Sequence, residues 1–532
     1  MKASRNAIFV ALLTLFALNN AGCNRQHKSG QHELRIPLGS EPPTLDPQQA
    51  DTGISVFVLR QIFSTLFTYD DELKIIPMDA ESYAWRNGGR VLRVVLRKDL
   101  KWSDGVPLRA CQYRDALLRA LDPKVPSALS EILFEIENAR ERKGNRVAEE
   151  AVGLKCDDEK GILEVKSLRA ESPKLLHSLA YIVSAPLRKD LLALKKSEWV
   201  ASGAFVLKEW THNQRLVLEA RSVHEKDLPA DRQARLNRVS LPIVKDSTTA
   251  LSMYESDELD VIDEIPPALI SKLKDRADHV VSPYFTTYMV GFSLKANPAL
   301  KNRKLRQALA RVAAQDEVPV LLGGGEEIAR GWIPPGLLPE TAQMKKSLSD
   351  PTAARSLFKE AGFGDAKKAP RLELFFNAGE RHQLLMERLA HHFKSELGLD
   401  IRLEPMEWKV LVAQLKVKAP DLYRYAWAAV YPDPIFFLEL YLSDSLNNFG
   451  GWKNEEYDRI VRALAAVPLA NRDDGFWKKV QRAQEILVSE DPALIPVYHY
   501  VRHVLVKPNV KGLRFLGNGT GPLKDVTKSE SR

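Results

Sequence analysis

The sequence predicts an α/β chain built as two large lobes with mixed sheets, joined by hinges around a cleft. Three observations carry that expectation. Strand-like and helix-like patterns alternate from end to end, as in layered α/β domains. The 532 residues are too many for one core and suit two large lobes or about three domains. No repeat of fixed period and no low-complexity block interrupts the alternation.

The elements follow in order. LRIPLG, at 34–39, alternates and stops in the turn-rich GSEPPTLDP, so it reads as a strand. Residues 54–69 place Val56, Leu59, Ile62, Phe63, Leu66 and Phe67 at helical spacing. RVLRVVLRKDLKW is a strand, SDGVP a tight turn, and QYRDALLRALDP a helix stopped by Asp122-Pro123. GILEVKSL is a strand and PKLLHSLAYI a helix. SGAFVLKEW and RLVLEA form a hairpin pair, and TTALSMYESDELDVID is a helix leading into a strand. In the second half TTYMVGFSL is a strand and NRKLRQALARVAA an amphipathic helix. GGG at 323–325 lacks the Lys-Ser/Thr of a phosphate-binding loop and reads as a turn. RLELFFN is a strand, and ERHQLLMERLAHHFKSELG is a helix with a glycine stop. LDIRLEPMEW and DLYRYAWAAV are strands, EEYDRIVRALAA and FWKKVQRAQEILVSED are helices, and ALIPVYHYVRHVLVKPNVKGL returns to strands.

A hydrophobic fraction of 45% and a charged fraction of 27% are those of a soluble globular chain. The net charge of +8 is interspersed and forms no basic block, so no nucleic-acid partner is expected. Lys2 and Arg5 precede the apolar run AIFVALLTLFAL at 7–18, which has the length of a secretory leader and is too short to span a bilayer. Ala21-Gly22 before Cys23 resemble a bacterial lipoprotein cleavage site. Residues 1–22 then read as a signal peptide, Cys23 as the lipidated residue and 23–32 as a polar tether, with ordinary cleavage nearby as the alternative. Cys111 and Cys156 remain. In an oxidising compartment they pair, or they stay as free thiols, and their spacing does not choose.

Catalytic signatures are absent. There is no CxxC and no Gly-x-Ser-x-Gly, and no carboxylate pair stands out. His499 and His503 form an HxxxH pair in a β-like stretch with no Glu beside the first His, so no metal site is expected. The nine tryptophans are spread over the whole chain; most suit a core, and a few at strand ends suit a cleft that accepts varied side chains.

Six phrases together resemble a known family. They are SEPPTLDP (40–47), LRKDLKWSDGVPL (96–108), SGAFVLKEW (202–210), NRKLRQALA (302–310), WAAVYPDP (427–434) and KNEEYDRIV (453–461). In this order they resemble the oligopeptide/dipeptide-binding proteins of ABC importers, the extracellular solute-binding proteins of family 5. The resemblance covers about 33–520. It implies a two-lobed, periplasmic-binding-protein-like fold with an extra inserted domain. Lobe I would comprise 33–64, 173–283 and 497–520, the insertion 65–172, lobe II 284–496, and 521–532 a C-terminal tail. It implies a monomer without cofactor, on the periplasmic or cell-surface side and held to the membrane by its lipid. Such a protein delivers a peptide or peptide-like solute to an ABC permease complex in the inner membrane.

The resemblance also nominates ligand-binding residues. Asp51, with its neighbours Thr52 and Gly53, matches an acidic position that reaches the ligand. Trp408 and Trp427 match cleft tryptophans, and Tyr425 and Ala426 stand beside the latter. Arg424 matches an arginine that helps hold a peptide carboxylate in some relatives, whereas a second such arginine falls on Leu415, next to Lys416. In the peptide binders an Asp three residues after the cleft tryptophan pairs with the peptide's N-terminal ammonium. Here that position is Val430. Burying an ammonium without a partner is costly. The ligand then lacks a free ammonium, or Asp51 or Asp433 replaces the missing acid, or the fold is kept for a sensor or surface role without transport. Asp433 itself reads as turn structure.

Overall fold

The computed structural model describes residues 33–530 apart from 191–198, 226, 264, 314, 324, 365–367 and 518. The leader, Cys23 and the tether lie outside the described residues.

The N-terminal half holds two four-stranded sheets. In the first, Glu33–Arg35 runs parallel to Arg238–Pro242, followed by Arg215–Ala220 and Phe205–Thr211 in antiparallel order. The expected hairpin forms its outer half. The second sheet is antiparallel, in the order Ala80–Arg86, Val91–Leu96, Ile162–Lys166 and Leu154–Asp157, and the helix Ala110–Leu121 packs on it. All its strands fall within the span expected for an insertion. Its core is nevertheless continuous with that of the first sheet: Leu92, Val94 and Leu117 share one buried cluster with Leu34, Leu218 and Val239. Cys111, on the helix, and Cys156, on the adjacent strand, are joined by a disulfide with their Cα atoms 5.2 Å apart.

The C-terminal half is organised by a seven-stranded mixed sheet. Its order is Val261–Ile262, Leu494–Val506, His279–Phe292, Leu422–Ala428, Leu372–Asn377 and Ile401–Met406, with Glu327–Ile328 pairing on Leu494–Val506. Alternation of side chains puts a core on each face. Met289 and Tyr423 face one, while Tyr288, Val290 and Leu422 face the other.

The two longest strands, His279–Phe292 and Leu494–Val506, tie the halves together. Val504 lies in the N-terminal core, whereas Ile495 and Val497 lie in a C-terminal one. Their pairing changes register between Pro283 and Thr287 and again between Tyr288 and Met289. Register shifts of this kind bend and twist a ladder locally. The residues that follow return to the N-terminal half. Val510–Lys511 pairs with Thr527–Lys528, and Leu523 and Val526 are buried, so 521–530 is packed rather than loose.

Two elements differ from the sequence reading. The helix expected over 54–69 is Gly53–Ile62, followed by the strand Phe67–Tyr69. The apolar spacing continues past Ile62, but Ser64 and Thr65 bind elsewhere. The Ser64 amide donates to Ser202 Oγ at 3.0 Å, its hydroxyl donates to Asp79, and Thr65 Oγ1 donates to the Phe67 carbonyl at 2.6 Å. Such side-chain bonds compete with helix continuation. The second difference is at Trp408, expected at a strand end. The strand stops at Met406, Glu407 caps the next element by accepting from the Val410 amide at 3.1 Å, and Trp408 opens the helix Trp408–Lys418.

The disulfide closes a separation of 45 residues. Replacing both cysteines by serine is expected to lower the unfolding free energy by about 2–4 kcal/mol, since the open loop gains entropy in the unfolded chain. Urea titration reads this directly, and an unchanged midpoint would overturn it.

Candidate ligand-binding site

The strand Leu422–Ala428 is paired on both sides only at its start. One edge pairs with His279–Phe292 along the whole strand, from Phe292 opposite Leu422 to Thr286 opposite Ala428. The other edge meets Leu372–Asn377 only at Leu422 and Tyr423, although that neighbour continues beside Ile401–Met406 as far as Asn377. From Arg424 to Ala428 this edge has no strand partner among the described residues. The phase of the ladder identifies the groups left open. Ser293 donates its amide to the Asp421 carbonyl, and Ala429 donates to that of Phe285. Odd-numbered residues therefore bond to His279–Phe292, and the main chains of Ala426 and Ala428 face the open edge.

The side chains flank that edge from both faces. On one, Trp408 is 42% exposed. It stacks on Tyr425 at 5.4 Å, Tyr425 reaches Trp427 at 5.2 Å, and Phe449 stacks on Trp427 at 6.5 Å. On the other, buried Arg424 donates from Nη1 to Asn377 Oδ1 at 2.7 Å and from Nη2 to the Tyr500 hydroxyl at 3.0 Å. Its Cζ lies 4.3 Å from the centre of the Tyr288 ring. Its Nε has no hydrogen-bond partner among the described residues. His382 is hydrogen-bonded to the Tyr288 hydroxyl at 3.1 Å. Burial, followed by the charges of Arg424 and Arg381, pushes this histidine down to about 3, so it is neutral at ordinary pH. The structure thus gathers Trp408, Tyr425 and Trp427 and sets Arg424 on the opposite face, with Ala426 on the strand between. Leu415 is buried in the core and does not reach the edge.

Beyond Ala428 the chain docks on the N-terminal half. Val430 is half-buried against that core, and Tyr431 stacks on His177 at 4.8 Å. Asp433 is buried. Its Oδ1 caps the helix Pro434–Glu439 by accepting from the Ile435 amide at 2.8 Å. Its Oδ2 accepts from Arg472 at 2.7 Å and lies 3.5 Å from His177 Nε2. Burial would raise this carboxyl, but the bond to His177 and the Arg472 charge outweigh it and hold Asp433 well below the usual carboxylate range. His177 is also hydrogen-bonded to the Tyr69 hydroxyl at 3.0 Å. At the far end of the helix, Glu439 pairs with Lys174 at 2.9 Å and lies 3.6 Å from Arg169.

Thr52 caps the helix Gly53–Ile62, its Oγ1 accepting from the Ser55 amide at 3.3 Å. A Cβ on Gly53 would meet nothing within 4 Å. Asp51 is exposed and has no hydrogen bond or ion pair among the described residues. The Tyr181 hydroxyl is raised by burial, opposed by Arg60 and reinforced by Tyr284 and Asp51. Phe449, His177 and Tyr69 carry no local sequence signal; only the tertiary fold brings them here.

His499 and His503 do not converge. Four residues apart on a strand, they are separated by about 13 Å. His499 bonds Thr287 Oγ1 at 2.9 Å, and His503 faces His279 at 3.1 Å. Among the described residues no group of three or more His, Cys, Asp or Glu is placed to hold a metal, and no helix is long and apolar enough to cross a membrane.

Two halves tied by long strands, with an open, aromatic-flanked strand edge, describe a fold for capturing a solute. The chain belongs to the bacterial extracellular solute-binding proteins, family 5, whose middle-region model matches residues 74–449. Members of this family bind solutes and are not enzymes. The chain is 28% identical over 505 residues to the probable deoxycholate-binding periplasmic protein of Escherichia coli (strain K12), covering 91% of this chain and 90% of that one. It is 29% identical over 506 residues to the periplasmic oligopeptide-binding protein of Salmonella typhimurium, covering 92% and 90%. Among solved structures, the Haemophilus influenzae oligopeptide-binding protein in complex with RPPGFSPFR superimposes with a TM-score of 0.75 at 25% identity, covering 94% of this chain and 99% of that one. The murein tripeptide-binding protein of Escherichia coli gives 0.78 at 24%, covering 94% and 99%.

Asp433 yields a prediction with a definite sign. Its carboxyl is depressed in the folded chain, so its stabilisation is fully present above the unfolded value near ~4 and is lost as pH falls through the folded one. Arg472→Ala leaves this carboxylate buried beside His177 alone and is expected to cost about 3–5 kcal/mol at pH 7. Asp433→Asn should be less stable than the parent at pH 7, with the difference shrinking as pH is lowered. A difference independent of pH in urea titrations would overturn the charged role.

Proposed function

We propose that this protein captures a peptide or peptide-like solute between its halves and delivers it to an ABC importer from outside the cytoplasm, anchored by lipid on Cys23. The observation that carries this reading is the open edge from Arg424 to Ala428. An extended ligand main chain lies there as an added strand, bonding Ala426 and Ala428. Alternate ligand side chains then fall toward Trp408, Tyr425 and Trp427 or toward Arg424. Aromatic faces tolerate many side chains, which suits affinity without strict sequence preference. The lobes, 33–283 with 497–520 and 284–496, close by bending the two long strands where their register shifts. Only a ligand that binds the closed form better shifts the population toward it.

The ligand carries no free ammonium at the end beside Val430. Asp433 is not available as a substitute anchor, because its oxygens serve the helix cap and Arg472. Relatives at similar distance are named for oligopeptides and for deoxycholate, so a departure from ordinary peptides lies within the range of the family's named ligands. A second reading rests on Asp51, which is exposed, unpartnered and close to Tyr181. It would then receive the ammonium, and ordinary peptides would bind.

Mass spectrometry of small molecules released on denaturing the natively purified protein separates these readings. A single blocked or non-peptide compound is expected, and a ladder of free-amine peptides would favour Asp51. In calorimetry, Val430→Asp should tighten binding of free-amine peptides by about tenfold or more, the equivalent of ~1.4 kcal/mol. No gain across a mixed peptide set would sink the missing-anchor argument.

A further inference from the structure

We propose that Lys174 and Glu439 form a latch that fastens the two halves in the closed form, made across the junction beyond the open edge and broken when the halves part. The proposal rests on the closing motion in the reading above and names the contact that holds it.

The two partners belong to different cores. Lys174 lies in the helix Pro173–Leu179, whose Leu175, Leu176 and Leu179 are buried in the N-terminal core. Glu439 ends the helix Pro434–Glu439, whose Ile435, Phe437 and Leu438 are buried in a C-terminal one. Lys174 Nζ donates to Glu439 Oε2 at 2.9 Å. Apolar residues cross the same junction in both directions. Leu73 packs against the C-terminal core, and Val430 packs against the N-terminal one. Tyr431 stacks on His177 between the halves.

The pairing of charges marks this junction as separable. Each half holds partners of its own for most of the polar groups it brings. On the N-terminal side Arg169 pairs with Glu135 at 2.5 Å, and His177 is bonded to the Tyr69 hydroxyl. On the C-terminal side Asp433 pairs with Arg472 at 2.7 Å and accepts from the Ile435 amide. None of these bonds crosses the junction. A buried charge stripped of its partner is strongly destabilising, and parting the halves strips none of these. Lys174 and Glu439 differ. Among the described residues Lys174 has no other ion pair, and the only further cation near Glu439 is Arg169 at 3.6 Å, from the same N-terminal side. This pair is therefore made only across the junction. Its side chains are 26% and 18% exposed, so water replaces the partner when the pair breaks.

The facing surfaces are complementary. Arg169 and Lys174 outnumber Glu135 on the N-terminal face, and Asp433 and Glu439 outnumber Arg472 on the C-terminal one. The helix that carries Glu439 is the next element after the strand Leu422–Ala428. Fastening it to the N-terminal half fixes the end of the edge on which the ligand lies. Lys174 and Glu439 are thus positioning residues for closure, and an accessible ion pair makes that closure sensitive to salt.

The test needs no ligand. Small-angle X-ray scattering of the mature chain, stripped of bound solute, reads the ratio of open to closed molecules. Glu439→Gln and Lys174→Gln are each expected to raise that ratio about fivefold, the upper range for a partly exposed pair. The double variant should raise it little further, because both substitutions remove one interaction. High NaCl should open the parent and leave the double variant unchanged. If the glutamine variants do not fold, this salt titration of the parent carries the test. Substitutions that lower the urea midpoint but leave the open fraction unchanged would make the pair a static contact and overturn the latch, with closure left standing. Parent scattering that never changes, with salt or with Ala-Leu-Ala, would overturn the closing motion as well.

Discussion

The structure depends on a strand edge that its own sheet leaves open. Unpaired main-chain N–H and C=O groups are costly when water is excluded, and exposed edges invite pairing with other chains. Most sheets close, cover or charge such edges. Here Leu372–Asn377 follows Leu422–Ala428 for two residues and then leaves with Ile401–Met406, so the gap is built by the divergence of two strands. Aromatic rings crowd one side of it and the Arg424–Tyr500–Asn377 cluster the other, which keeps a broad second sheet from docking. What fits is a single extended segment. In the proposed function, the same feature that would be a liability on a free surface serves as a binding site, because the flanking side chains limit what can enter.

The end of that edge is where this chain states its own preference. Ala429 is tied to Phe285, Tyr431 to His177, and Asp433 to Arg472 and a helix N-terminus, so the main chain around Val430 is held from both halves of the molecule. A side-chain change at 430 therefore alters chemistry without releasing the backbone. In the proposed function the valine leaves this place without a carboxylate, and its neighbours do not replace it, because Asp433 is occupied and Asp51 stands at a separate helix start.

Much of this fold was legible in the sequence, and the reasons for the exceptions are local. The strands at 205–211, 215–220 and 372–377 and the helices at 110–121 and 455–465 follow their apolar spacing and their stops, because in each case local pattern and tertiary burial agree. The helix that begins at Gly53 ends earlier than its periodicity suggests because Ser64 and Thr65 find partners in Ser202 and Phe67. The helix at Trp408–Lys418 was hidden by its β-branched and apolar residues, and it is the Glu407 cap that sets its start. Of the site, Trp408, Tyr425 and Trp427 were legible from the family's phrases. That Asn377 and Tyr500 meet Arg424 was not, since this depends on how neighbouring strands are placed in the sheet.

These features bear on closure as well as recognition. The segment 430–439 is pinned to residues 169–177 by Glu439 with Lys174 and Arg169 and by Asp433 with His177. Those contacts join the two halves directly, one through a buried carboxylate and one through the far end of its helix. The long strands change register between Pro283 and Thr287 and between Tyr288 and Met289, where the ladder is bent, and the edge from Arg424 to Ala428 has no strand partner among the described residues. In the proposed function, a ligand that fills the edge gains main-chain bonds there, and only the part of that gain made in the closed form shifts the halves toward closure.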